Sequence, residues 1–182
     1  MADQSDSQIP NYMTPLYTAL MDRDFATARA LIESGHSIDD EPVDDGYTLL
    51  HQAAQKGDVE IVQFLLSSGC PRSLNRFDYV QHTPLMWAAE EGRLEIARLL
   101  IGAGADVDAH DEDRIGNTAI REAVGASNVR MVSLLVEAGA DPTIKGWMQI
   151  DALTKAKMMM SEDPSSRARQ EIVAILEKTK TA

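Results

Sequence analysis

The feature that most constrains this chain is an internal repeat. Four ungapped segments, "TPLYTALMDRDFATARALIESG", "TLLHQAAQKGDVEIVQFLLSSG", "TPLMWAAEEGRLEIARLLIGAG" and "TAIREAVGASNVRMVSLLVEAG", open at Thr14, Thr48, Thr83 and Thr118 and close at Gly35, Gly69, Gly104 and Gly139. Every Thr-to-Gly interval is 21 residues. The intervals from each Gly to the next opening are 13, 14, 14 and, with Asp151 opening a fifth copy, 12. Units that pack against copies of themselves must keep their length, whereas exposed connections are free to stretch. The sequence therefore predicts a stack of equal units with variable turns between them.

Each constant part reads as two short helices. Threonine suits an N-cap because its hydroxyl can accept an orphan backbone N–H, and Pro15 and Pro84 suit the first helical position, where no N–H is needed. Small pairs such as Ala53-Ala54 and Ala88-Ala89 permit close packing of the first helix. Gly57 and Gly92 turn the chain, and Ile61, Val62, Leu65, Leu66 or Ile96, Leu99, Leu100 give the second helix an apolar stripe. The closing glycine takes the C′ position, where a left-handed backbone costs little without a Cβ. A two-helix unit this short cannot bury its own apolar face, so stacking must supply the stability.

The segments "TPLMWAAEEGRLEIARLLIGAGADVDA" (83–109), "TLLHQAAQKGDVEIVQFLLSSG" (48–69) and "VSLLVEAGADP" (132–142) resemble the ankyrin-repeat family. The resemblance implies an all-α solenoid of about five helix-turn-helix repeats, near 14–46, 48–81, 83–116, 118–149 and 151–178, joined by β-hairpin fingers. It spans a single domain over 12–178, with a disordered tail at 1–11, a short tail at 179–182, and terminal repeats acting as caps. Fingers and first helices form a concave face, which in this family binds other proteins.

Several positions depart from the family pattern. Arg23 stands where the turn glycine is expected and Gln81 replaces a finger glycine. Repeat four lacks the family's histidine and has Gly125 and Ala126 where larger side chains would project. Repeat five carries an apparent insertion, "SEDPSSRAR" (161–169), which reads as a longer loop in the cap. Asp106 of "GADVDAHDEDRIG" takes the family's turn-aspartate position, where its side chain satisfies local donors. Asp108, Asp111, Glu112 and Asp113 read as a solvated acidic tip or a binding contact. A calcium loop counted from Asp106 is not expected, because His110, Asp111 and Asn117 occupy positions requiring an oxygen ligand, a glycine and a glutamate.

Twenty-nine acidic residues against 17 basic ones give a formal net charge of −12. Such a chain repels phosphate backbones and anionic lipid, which argues against nucleic-acid and membrane partners and favours a basic protein. The lone Cys70 and the polar N-terminus "MADQSDSQIPN" lead us to expect a cytoplasmic protein, and we separately expect it to be monomeric when free. His51 takes the family's position for a histidine bonding between fingers. None of His36, His51, His82 and His110 has a second ligand at helical spacing, and Cys70 replaces a small packed residue, so no metal, cofactor or catalytic role is expected.

Carrying the family's binding positions over residue by residue nominates Asp44, Asp45, Tyr47, Gln55 and Lys56 in repeat two. Tyr79, Val80, His82, Trp87, Glu90 and Glu91 follow in repeat three, and Arg114, Ile115 and Asn117 in repeat four. Tyr47, Tyr79 and Trp87 stand out because aromatics dominate interface energetics. Trp87 also suits packing between repeats. The expected function is a non-enzymatic interaction module gripping a basic protein partner, most simply as an inhibitor or a toxin-neutralising immunity protein. The alternative is an adaptor joining two partners, with Met158, Met159 and Met160 as the second surface.

Overall fold

Five helical pairs follow one another in the computed structural model, which describes residues 14–38, 42–44, 46–70, 72–111 and 116–179. They are α1 (Pro15–Met21) with α2 (Phe25–Glu33), α3 (Leu49–Lys56) with α4 (Val59–Ser67), and α5 (Pro84–Glu90) with α6 (Leu94–Gly102). The last two are α7 (Ala119–Gly125) with α8 (Val129–Glu137), and α9 (Ala152–Glu162) with α10 (Arg167–Thr179). Beyond each pair, α3, α5, α7 and α9 pack successively in one layer and α4, α6, α8 and α10 in a second. The buried side chains, from Leu16 and Leu20 through Leu50, Leu65, Leu85, Leu100, Ile120 and Leu135 to Leu176, form one continuous apolar cluster. Stacking thus provides what a single pair cannot. Repeat one is tied on by Phe25, whose ring lies 5.2 Å from that of Phe64, and by Arg23, which pairs with Asp58 (3.0 Å) and Glu60.

The caps follow the sequence reading in part. Thr14 and Thr83 accept the backbone N–H groups of Tyr17 and Met86, with Pro15 and Pro84 inside the first turn. Thr48 caps differently. Its own N–H donates to His51 Nδ1 (3.1 Å), and its hydroxyl lies 2.8 Å from the same nitrogen. Thr118 does not cap through its side chain, and its buried hydroxyl has no hydrogen-bond partner.

The turn between the helices of each of the first four pairs demands a left-handed residue whatever the side chain. Arg23, Gly57, Gly92 and Ser127 occupy it with φ of 59°, 87°, 68° and 54°. A Cβ in that region costs roughly 1 kcal/mol. Ser127→Gly should therefore raise stability by about 0.5 kcal/mol after the added freedom of the unfolded chain is subtracted. Thermal unfolding measures this, and an unchanged or lower Tm would contradict the turn assignment.

Two expectations change. The segment 161–169 is not a long loop: its ends extend α9 and α10 to 11 and 13 residues, against 7 to 9 in the other helices, leaving a short turn at 163–166. There Asp163 accepts the backbone N–H of Ser165, which closes the turn. The fingers also differ among themselves. Strands β1 (Pro42–Asp44) and β2 (Tyr47–Thr48) form an irregular antiparallel pair, Pro42 opposite Thr48 and Asp44 opposite Tyr47. Among the described residues the later fingers show no ladder and are joined by side chains instead. Asp106 N–H donates to Asn75 Oδ1 (2.9 Å) and Asp141 N–H to Asp108 Oδ1 (2.8 Å). Asp108 is accordingly not a solvated tip residue but a bridge between fingers, and burial pushes its carboxyl up from the usual range. Glu112 and Asp113 lie outside the described residues.

Candidate protein-binding face

Stacking places equal register positions of successive repeats side by side. The residue before each opening gives Tyr47, His82, Asn117 and Ile150, and the fourth residue after it gives Gln52, Trp87, Glu122 and Lys155. These two columns, from finger ends and first helices, form a shared face.

In repeats two and three the face is aromatic. The Tyr47 ring lies 6.4 Å from Tyr79, 6.3 Å edge-on from Trp87 and 5.6 Å in a stack from His51. The Tyr47 hydroxyl donates to Gln55 Oε1 (2.6 Å), and burial pushes its pKa up to about 12. Tyr47 is thus half packed, more than a finger residue was expected to be, whereas Tyr79 is 60% exposed. Trp87 takes the packing role anticipated for it: its ring contacts Tyr47 and His82, and its Nε1–H donates to Asp78 Oδ2 (2.7 Å).

Asp78 was not singled out in the sequence, yet it builds this region. Its other oxygen accepts the N–H groups of Val80 (3.0 Å) and His82 (2.9 Å), closing a turn that presents Tyr79 outward. The carboxylate is almost fully buried, and these three donors satisfy it. The turn needs Gln81 at φ 65°, the position where the finger glycine was missing. His51, fully buried beneath, donates through Nε2 to the carbonyls of Arg76 (2.9 Å) and His82 (3.1 Å). That is the inter-finger role expected of it, and burial lowers its pKa to about 4.

Repeats three to five present charge. His82 Nε2 lies 3.5 Å from Glu122 Oε1 and 3.7 Å from Glu90 Oε2. Burial opposes a charged His82 ring, but the nearby carboxylates of Glu122, Glu90 and Asp78 outweigh this and raise its pKa. Burial likewise opposes the Glu122 carboxylate, yet His82, Lys155 and Arg121 hold it below the usual range. Asn117 accepts from Arg121 Nη1 (2.6 Å) and donates to Glu122. Lys155 Nζ donates to the Arg121 carbonyl (2.8 Å) in space left by Gly125, where a Cβ would come within 2.9 Å of that Nζ. The missing side chain in repeat four thus makes room for a lysine from repeat five. Beside it, Arg121, Met148, Ile150, Lys155, Met158 and Met159 line a largely apolar cavity of about 420 Å³.

Not every nominated residue joins the face. Lys56 lines a separate depression with Arg23, Asp58 and Glu60, and Glu91 lies 3.9 Å from Arg93. Asp45, Arg114 and Ile115 lie outside the described residues, as does the side chain of Asp44. Glu122 and Asp78 are the functional candidates that sequence reasoning missed.

Comparison with known proteins agrees with this architecture. The chain matches the family described as Ankyrin repeats (3 copies) over residues 2–78 and 72–146. It is 36% identical over 62 residues to the NAD-capped RNA hydrolase NUDT12 of Homo sapiens, Pongo abelii and Macaca fascicularis. That match covers 34% of this chain and 13% of each relative, so the chain spans a small part of those proteins.

Proposed function

The chain belongs to the ankyrin-repeat family, whose repeats are protein-interaction modules, and from that premise we propose that it is a non-enzymatic cytoplasmic protein gripping one basic protein partner. The observation that carries this reading is the aromatic cluster of Tyr47, Tyr79 and Trp87 beside Glu90 and Glu122 on the shared face of fingers and first helices. Tyr47 and Trp87, held in place by hydrogen bonds, and the outward Tyr79 offer large contact area at little entropic cost, and the carboxylates give the face a field that attracts cations. The net charge of −12 extends that attraction to long range. Covering a partner's active surface, as an inhibitor or immunity protein does, is the simplest consequence of such a grip.

Tyr79 supplies the test, because it is exposed and its loss leaves the packed groups in place. Against a partner captured by the intact chain, Tyr79→Ala should weaken binding at least tenfold, as expected of a central aromatic anchor. Raising salt from about 0.05 to 0.5 M should slow association by screening the acidic field. Unchanged affinity for Tyr79→Ala together with salt-independent association would defeat the proposal.

A second reading, an adaptor for two proteins, draws on the methionine-lined cavity of repeats four and five. Met148 and Met158 are 67% and 51% exposed there, and methionine surfaces adapt to varied apolar partners. Stoichiometry separates the two readings: a ternary complex supports the adaptor, a strictly binary one the single-partner grip.

A further inference from the structure

We propose that His82, Glu90 and Glu122 form a divalent-metal site, with the donor chemistry and spacing of zinc, that joins repeats three and four on the finger face. The three residues come from a finger end, the last residue of α5 and the first turn of α7, and one ligand atom from each lies within 4.8 Å of the others. Zinc bonds to nitrogen and oxygen of about 2.0–2.2 Å place the corners of a tetrahedron about 3.3–3.5 Å apart. The separations from His82 Nε2, 3.5 Å to Glu122 and 3.7 Å to Glu90, are close to that edge.

The orientation of His82 adds a second observation to the spacing of the three ligand atoms. Its Nδ1 lies 3.3 Å from the Val80 carbonyl, a position that calls for an N–H, so in the neutral ring Nε2 carries the lone pair. Nε2 is itself buried and has no hydrogen-bond partner. A lone pair aimed between two carboxylate oxygens makes a gap that attracts a cation. The same carboxylates favour a proton there, yet charge-assisted N–H···O bonds close to about 2.7–2.9 Å, well inside the observed separations. A metal ion fills the space with little movement.

The surroundings hold the ligands in place, as metal sites require. The Val80 carbonyl fixes the His82 tautomer, the Trp87 ring lies 4.9 Å from the imidazole, and Asp78 anchors both the His82 backbone and Trp87. Asn117 donates to Glu122 Oε1. Two cations stand nearby and limit the affinity: Arg121, bonded to Asn117, and Lys155, whose ammonium is committed to the Arg121 carbonyl. Glu90 is exposed, which leaves the fourth coordination position open to water or to a donor from a bound protein.

The test uses the untagged full chain, treated with chelator and titrated with zinc by calorimetry, and with cobalt as a spectroscopic probe. One ion per chain is expected, with a Tm that rises with zinc concentration and the visible absorption of low-coordinate cobalt. Glu90→Gln, exposed and harmless to the fold, should weaken binding at least tenfold, and His82→Gln and Glu122→Gln should do the same. Glu91→Gln, one residue away, should bind as the parent does. Absence of stoichiometric binding, or binding undiminished in Glu90→Gln and Glu122→Gln, overturns the site.

Discussion

Leu100→Ala is expected to lower the stability of the chain by about 3 kcal/mol and its Tm by about 6–12 °C. Leu100 is fully buried in α6, within the cluster that runs from Leu16 to Leu176. Truncating it removes both apolar burial and the contacts lining the resulting void, since α6 packs against α5 within its repeat and against α4 and α8 on either side. In a linear array each unit is stabilised by its neighbours, so a weak interface near the middle also lets the two halves unfold separately. Leu99, next in sequence and only half buried, is the control. Its truncation should cost less than half as much in urea unfolding. Equal losses at the two positions would contradict the proposed facing of α6.

The second large effect is a loss of stability in mild acid, caused by His51. In the unfolded chain this ring takes up a proton near pH 6.5, but in the folded protein only near 4. Between those values the unfolded state holds more protons, so stability falls as pH is lowered, by about 2 kcal/mol between pH 7 and pH 5. His82 has the opposite sign: its pKa is raised, so its contribution is complete below pH 6.5 and is lost only as pH rises through the raised value. Glu122, held below 4.5, contributes stability that is present above that pH and lost as pH falls through its lowered value. Glu122 does not shape the fall from 6.5 to 5, and His82 offsets part of the change only above pH 6.5. Urea midpoints at pH 7 and 5 measure the effect, and His51→Gln should flatten it. A ring resonance of His51 titrating near 6.5 in the folded protein would refute this account.

The two predictions draw on different degrees of legibility in the sequence. The stack was written in the Thr-to-Gly interval, because helices that nest must keep their length and leave an apolar stripe on a fixed register. His51 was legible through the family's pattern. Glu122 was not, since its meaning lies in a column that only stacking creates, beside His82 from the preceding finger and Lys155 from the following repeat. Asp78 was hidden for a related reason. A buried aspartate in "FDYVQH" looks like any turn residue until Trp87, which needs a partner for its N–H, is seen to reach it. The signals were present in both cases: an acid at the inward helical position, and a tryptophan within range of a turn carboxylate. The segment 161–169 misled because Ser, Asp and Pro together resemble a loop, while the residues on either side are good helix formers. Gln81 and Ser127 show the turn geometry overriding side-chain preference.

Hydrogen–deuterium exchange of the full chain, alone and with its captured protein partner, tests most directly whether the shared face of fingers and first helices is where this protein works. Protection on binding should concentrate in residues 46–56, 77–91 and 116–122, which carry the ring cluster and the His82–Glu122 contact. Protection confined to α4, α6 and α8, with the fingers exchanging as freely as before, would contradict it.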